Sequence, residues 1–322
     1  MHFDVIVGNP PYQEMTGGGG VVAKANSIYP DFIQRAMDLS PRYLSMIIPA
    51  RWYNDDSVKS ANLRRRLFRH LRSLTDIVDS KVCFEDVLIA GGLCYFLWEI
   101  DYSGETDIHF IHEYKDEWLR RDLRECDNYI RYSILEQIAN KVRAKTEVYF
   151  SDMCLESTPF GFETYERGSE AESDGDLILI SSRGSEYIKY ESVLKNQDQI
   201  YRYKVVTGYK TPGTDATTTK YARKVINEPR VMLPGQVCTQ TYFVVGTFDT
   251  PEETENCLNY LKTKFARAMI LTSLVGTTVT RRTYQNLPYL DFSREWTSDN
   301  LYNYFDLTGV EIFFIEELIR AI

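Results

Sequence analysis

The apolar run 3–8 (FDVIVG) is closed by Asn9 and two consecutive prolines, Pro10 and Pro11. No helix continues through that pair, because proline has no N–H to donate and its ring clashes with the preceding turn. The run therefore reads as a short buried strand that stops at a stiff loop. The alternation continues downstream. Residues 28–39 place Phe32, Ile33, Ala36, Met37 and Leu39 at helical spacing. Residues 43–49 read as a second strand, 57–72 as a basic amphipathic helix, and 74–78 as a third strand. Segments 93–100 and 107–111 read as a closing antiparallel pair. This order predicts an α/β fold: a truncated, doubly wound, mostly parallel sheet over residues 1–115.

Beyond residue 115 the pattern changes. Residues 115–145 read as a charged connector helix, 151–176 as an exposed acidic loop, 252–272 as a helix, and 308–321 as a terminal amphipathic helix. Residues 116–322 are thus predicted to form a mixed α+β second domain. The formal charge of −9 excludes a uniformly basic nucleic-acid binder, but it averages over unlike segments. Residues 151–176 hold eight acids against one Arg, whereas 201–230 hold seven Lys/Arg against two acids. The six cysteines form no Cys-x-x-Cys pair, and the four histidines have no metal-ligand spacing, so no metal is expected. Without a membrane-spanning run or a leader pattern, the chain reads as cytoplasmic.

The loop after the first strand is where an open α/β sheet places its ligands. Asn9 supplies an amide oxygen, Pro10 a carbonyl without a competing donor, and Tyr12 a flat ring. That assembly suits a planar group bearing an –NH2. Two acceptors hold the amino hydrogens while the ring stacks. An exocyclic amino nitrogen is a poor nucleophile because its lone pair is delocalised. Acceptors that favour a tetrahedral nitrogen localise that pair and help most in the transition state.

With these residues, the segment Phe3–Tyr12 resembles the catalytic motif of adenine-specific DNA methyltransferases, especially those of bacterial type II restriction–modification systems. The resemblance implies methyl transfer from S-adenosylmethionine to the adenine amino group, double-stranded DNA as substrate, and a flipped target base. It implies catalytic roles for Asn9, Pro10, Pro11 and Tyr12, stacking of the base by Tyr12 and Phe84, and cofactor contact by Phe32; Phe32 and Phe84 read equally well as core. Residues 287–292, 296–297 and 301–302 are similar to C-terminal ends in the same group. The region 115–285 falls where that family keeps its target-recognition domain.

The cofactor site of the family needs a Gly-rich turn and an acid for the ribose hydroxyls. Residues 274–278 hold one glycine and read as a loop, and Gly17–Gly20 reads as a lid or loop beside the site. The chain is therefore expected to lack the N-terminal cofactor motif. A missing domain or separate subunit would supply it, with any nuclease. DNA contact is assigned to Lys210, Lys220, Arg223, Lys224, Arg281 and Arg282. The alternative is a non-catalytic DNA-binding specificity module that positions a partner nuclease or methylase.

Overall fold

The computed structural model describes residues 3–16, 24–55, 57–112, 116–173, 175–212, 223–274 and 276–322. The chain divides into two compact units, Met1–Arg131 and Tyr132–Ile322. The boundary expected at 115/116 falls inside a strand pair, and the hydrogen bonds across that pair keep residues 116–121 in the first unit.

The first unit contains β1 (Val5–Gly8), β2 (Gln13–Thr16), β3 (Lys24–Ser27), α1 (Tyr29–Asp38), β4 (Tyr43–Pro49), α2 (Val58–Phe68), β5 (Leu71–Ile77), β6 (Leu93–Glu99), β7 (Thr106–Ile111) and β8 (Asp116–Arg121). Six strands form one sheet in the order β1-β4-β6-β5-β7-β8, and β2 pairs with β3 alone. The sheet is mixed rather than mostly parallel. β1–β4 and β5–β7 are parallel, whereas β4–β6, β5–β6 and β7–β8 are antiparallel. β6 and β7 do not pair as expected, because β5 lies between them. The expected 57–72 helix ends at Phe68. The chain then turns at His70, whose N–H donates to the Leu67 carbonyl (3.2 Å), so Leu71 opposes Trp98 in the sheet.

Side-chain chemistry explains these elements. Alternation in β4 buries Leu44, Met46 and Ile48 on one face. Ser57 caps α2 by accepting from the Ser60 N–H, and Pro30 lies in the first turn of α1, where its missing N–H costs nothing. Arg64 in α2 is buried and donates to the backbone carbonyls of Trp52, Asp55 and Asp127. The connector helix expected over 115–145 is instead β8 followed, in the second unit, by a helix. β8 alternates exposed and half-buried residues as an edge strand does, and His109 stacks on Trp118 across the pair at 4.0 Å.

The second unit contains α3 (Ser133–Arg143), α4 (Phe150–Met153), β9 (Leu177–Ser181), β10 (Gly184–Ile188), β11 (Tyr203–Gly208), β12 (Arg230–Met232), β13 (Gln236–Cys238), β14 (Tyr242–Phe248), α5 (Pro251–Lys262), α6 (Lys264–Leu271), α7 (Ser298–Tyr304) and α8 (Gly309–Leu318). Two three-stranded sheets, β10-β9-β13 and β12-β11-β14, contribute Leu177, Leu179, Val206, Val237 and Val244 to one core. The acidic 151–176 segment is irregular after α4, yet it sends Phe160 and Phe162 into that core. The helix expected over 252–272 is two helices. Thr263 is extended (ψ 149°) and its side chain caps α6 by accepting from the Ala266 N–H. Among the described residues no helix is long and apolar enough to cross a membrane.

Candidate active site

β1 and β4 run parallel, so Asn9–Tyr12 and Ala50–Tyr53 leave the same edge of the sheet. β6 is antiparallel to β4, so the segment entering it, Val87–Gly92, reaches that edge as well. Pro10 is buried beneath the loop, while Asn9 and Pro11 are exposed. Asn9 keeps its amide free of hydrogen bonds among the described residues. Tyr12 sits at the base of the β2–β3 hairpin, because the Ile28 N–H donates to the Tyr12 carbonyl (3.2 Å) and Gln13 pairs with Ser27. Tyr29, two residues beyond the hairpin, meets Tyr12 edge to face, with centroids 6.5 Å apart.

A cavity of about 410 Å³ opens here, walled by Tyr12, Gln13, Tyr29, Pro49, Arg51 and Ile89, among others. Burial pushes the Tyr12 phenol up to about 12, with smaller contributions from Cys94 and Cys83. Its hydroxyl oxygen is buried without a hydrogen-bond partner among the described residues. Tyr12 is therefore neutral at physiological pH and unsuited to act as a base. Cys94, held up at about 12 by burial, accepts from the Trp52 indole N–H at 3.4 Å and is a packing thiol.

The wall leading into β6 is pinned from behind. The Arg131 guanidinium donates to Asp76 Oδ1 (2.9 Å) and to the Gly91 carbonyl (2.6 Å). Burial raises Asp76 above the usual carboxylate range, and Arg131 opposes that rise. Gly92 has φ +79°, and a Cβ there would lie 2.1 Å from the Ile77 carbonyl oxygen, so only glycine fits. The Gly92 carbonyl accepts from the Ala50 N–H (3.0 Å), tying this turn to the one after β4.

Residues 1–84 match the Eco57I restriction-modification methylase family. Over 111 residues the chain is 44% identical to a Mycoplasma pneumoniae protein called an uncharacterized adenine-specific methylase. That match takes in 34% of this chain and 26% of the relative, so the chain spans about a quarter of the relative's length. The resemblance to adenine-specific restriction–modification methylases therefore holds for this segment. Among solved structures, the type IIG restriction endonuclease BpuSI aligns with 91% of this chain and 44% of its own at 11% identity, TM-score 0.34. The type IIL restriction-modification enzyme MmeI, solved in complex with DNA, aligns with 81% and 39% at 6% identity, TM-score 0.35. At these scores neither alignment carries weight.

The methylase motif and the cavity coincide at Tyr12. Other assigned residues fare differently. Phe32 is 45% exposed on α1 and does not reach the cavity wall, where Tyr29 stands instead. Phe84 is half-buried and also off that wall; its N–H donates to the Ser80 carbonyl (2.9 Å). Arg223 is corrected from a surface contact to a core residue. It is 2% exposed, its N–H donates to the Leu318 carbonyl (2.8 Å), and its guanidinium lies over Tyr132. Lys210 is exposed and donates to Thr278 Oγ1 (3.1 Å), Lys224 and Arg282 are half-buried, and Arg281 is exposed with Nε on the Ser151 carbonyl (2.9 Å). Lys220 and the Gly17–Gly20 loop lie outside the described residues. Arg51 also stands on the cavity wall, and the sequence alone assigned it no role. Its signal was its place directly after a strand parallel to β1.

Proposed function

We propose that this chain is the catalytic-loop and recognition portion of a site-specific DNA adenine N6-methyltransferase of a type II restriction–modification system. The observation that carries this reading is Tyr12, the last residue of Asn9-Pro10-Pro11-Tyr12, on the wall of a cavity at the carboxyl edge of parallel strands. Asn9 and the Pro10 carbonyl accept the two amino hydrogens of a flipped adenine, and the neutral ring of Tyr12 stacks on it. S-adenosylmethionine would supply the methyl group. The first unit is the partial catalytic domain and the second the target-recognition domain. Lys210, Lys224, Arg281 and Arg282 would meet phosphates, with Lys220 an unplaced candidate.

The described residues do not by themselves fit the cofactor. The cavity wall offers no carboxylate for ribose hydroxyls, and Phe32 is not part of that wall. We therefore assign the cofactor motif to another segment or subunit. β1 supports this. It is the outer strand of its sheet, and Val5 and Val7 are 55% and 74% exposed although parallel strands are normally covered. A non-catalytic specificity module is less favoured, because it gives the cavity no use.

The test is methyl incorporation into DNA adenine by the chain joined with a polypeptide that carries the Gly-rich motif. Activity is expected in the joined form and lost in Asn9→Ala. Retained activity in Asn9→Ala refutes the catalytic assignment. Micromolar binding of S-adenosylmethionine by the chain alone, measured by calorimetry, refutes the divided cofactor site.

A further inference from the structure

Arg51 is the one charged side chain among the described residues that line the cavity. It belongs to the turn Ala50–Tyr53, which directly follows β4. Its backbone is held in place because the preceding Ala50 N–H donates to the Gly92 carbonyl. Arg51 Nε donates to the Ala90 carbonyl at 3.4 Å, which anchors one edge of the guanidinium to the cavity wall. The two terminal nitrogens have no acceptor, and no carboxylate pairs with them, among the described residues. The other wall residues are aromatic, aliphatic or neutral polar. The cavity thus presents the Tyr12 ring, met edge-on by the buried Tyr29, and an uncommitted cation beside it. Its volume of about 410 Å³ is more than one flat ring fills.

A planar guanidinium whose two terminal nitrogens are free matches the tetrahedral oxygens of a phosphate, which it grips through paired charge-assisted hydrogen bonds. We infer that the cavity takes a purine nucleotide rather than a bare base, with Arg51 holding the phosphate while Tyr12 receives the ring. This rests on the adenine-binding reading of the same cavity and adds the group that positions the nucleotide. The phosphate belongs either to the backbone of an everted nucleotide or to a free monoester; the recognition chemistry is shared.

The experiment is a calorimetric titration of the full chain and its Arg51→Gln and Arg51→Lys variants. The ligands are deoxyadenosine, deoxyadenosine 5′-monophosphate, and a short single-stranded oligonucleotide with one adenine. The oligonucleotide carries either a normal or a neutral methylphosphonate linkage 5′ to that adenine. Wild type is expected to bind the monophosphate about tenfold more tightly than the nucleoside, a modest value for one charged contact. Arg51→Gln should abolish that difference and leave the nucleoside affinity unchanged; Arg51→Lys should restore part of it. A matching loss with the methylphosphonate assigns the phosphate to the DNA backbone, and its absence assigns it to a free nucleotide. Equal wild-type affinity for nucleoside and monophosphate overturns the inference, as does a tenfold difference that survives Arg51→Gln. Failure of the underlying reading looks different: nucleoside binding would be the same in Tyr12→Ala as in wild type. Thermal melts confirm that the Arg51 variants fold, as an exposed side chain predicts.

Discussion

Arg131 and Asp76 offer the sharpest test of how the candidate site is held together. Asp76 is wholly buried in β5, and Arg131, 11% exposed, reaches it at 2.9 Å while also holding the Gly91 carbonyl. Replacing Arg131 by Ala leaves a buried carboxylate without its counter-charge. Breaking such a pair from one side typically costs about 3–5 kcal/mol, because the remaining charge keeps its burial without its partner. That is a large share of the roughly 5–15 kcal/mol that holds a typical domain folded. At about 3 °C per kcal/mol, the melting transition should fall by about 10 °C. The loss also depends on pH. Burial already raises Asp76 in the native protein, and without Arg131 it rises further. A carboxyl whose folded value lies above its unfolded value takes up a proton on folding. Stability then increases as pH falls through the folded value. Circular-dichroism melts of wild type and Arg131→Ala at pH 8 and pH 5 should show the gap narrowing at the lower pH. The double variant Asp76→Asn/Arg131→Ala should recover most of it at pH 8. A gap that is the same at both pH values, or a single variant that melts within a degree or two of wild type, refutes the buried-charge argument.

Three further outcomes follow from the same geometry. Tyr12→Phe removes a buried hydroxyl that has no partner, so chemical denaturation should find the variant as stable as wild type or about 1 kcal/mol more stable. Gly92→Ala places a methyl group against the Ile77 and Val78 carbonyls at φ +79°, and urea titration should show a loss of at least about 2 kcal/mol. Lys204 in β11 is buried with its ammonium on the Ile200 and Arg202 carbonyls, and burial lowers it to about 8. Its charge is a burden that deprotonation relieves first in the folded state, so stability should rise between about pH 8 and pH 10; Lys204→Met should lack that slope.

The strand and helix pattern of the first hundred residues was legible because its signals are local: a proline pair after β1, alternation in β4, a helical stripe in α1. Pairing was not. Whether β6 meets β5 or β7 depends on contacts far apart in sequence, and a short apolar run reads the same in parallel and antiparallel settings. The Thr263 break also escaped, since its apolar stripe continues through both helices and only a side-chain cap marks the interruption. In the site, Tyr12 was readable from its motif. The β2–β3 hairpin fixes where α1 begins and so puts Tyr29, rather than Phe32, on the cavity wall. Arg223 misled because a charge in a basic stretch reads as surface until the backbone carries it into the core. Arg51 went unweighed for the opposite reason: a lone Arg has no pattern until a cavity surrounds it.

The uncovered side of β1 has a practical consequence for handling the protein. Among the described residues no strand pairs with this outer side, along which Phe3, Val5 and Val7 are exposed and Asp4 is the one charge in the run 3–8. Such an edge lacks the lysines and bulges that normally discourage strand-to-strand association. Solutions of the isolated chain should therefore self-associate through this strand as concentration rises. Val7→Lys, at the most exposed of the three, should raise the concentration that stays monodisperse.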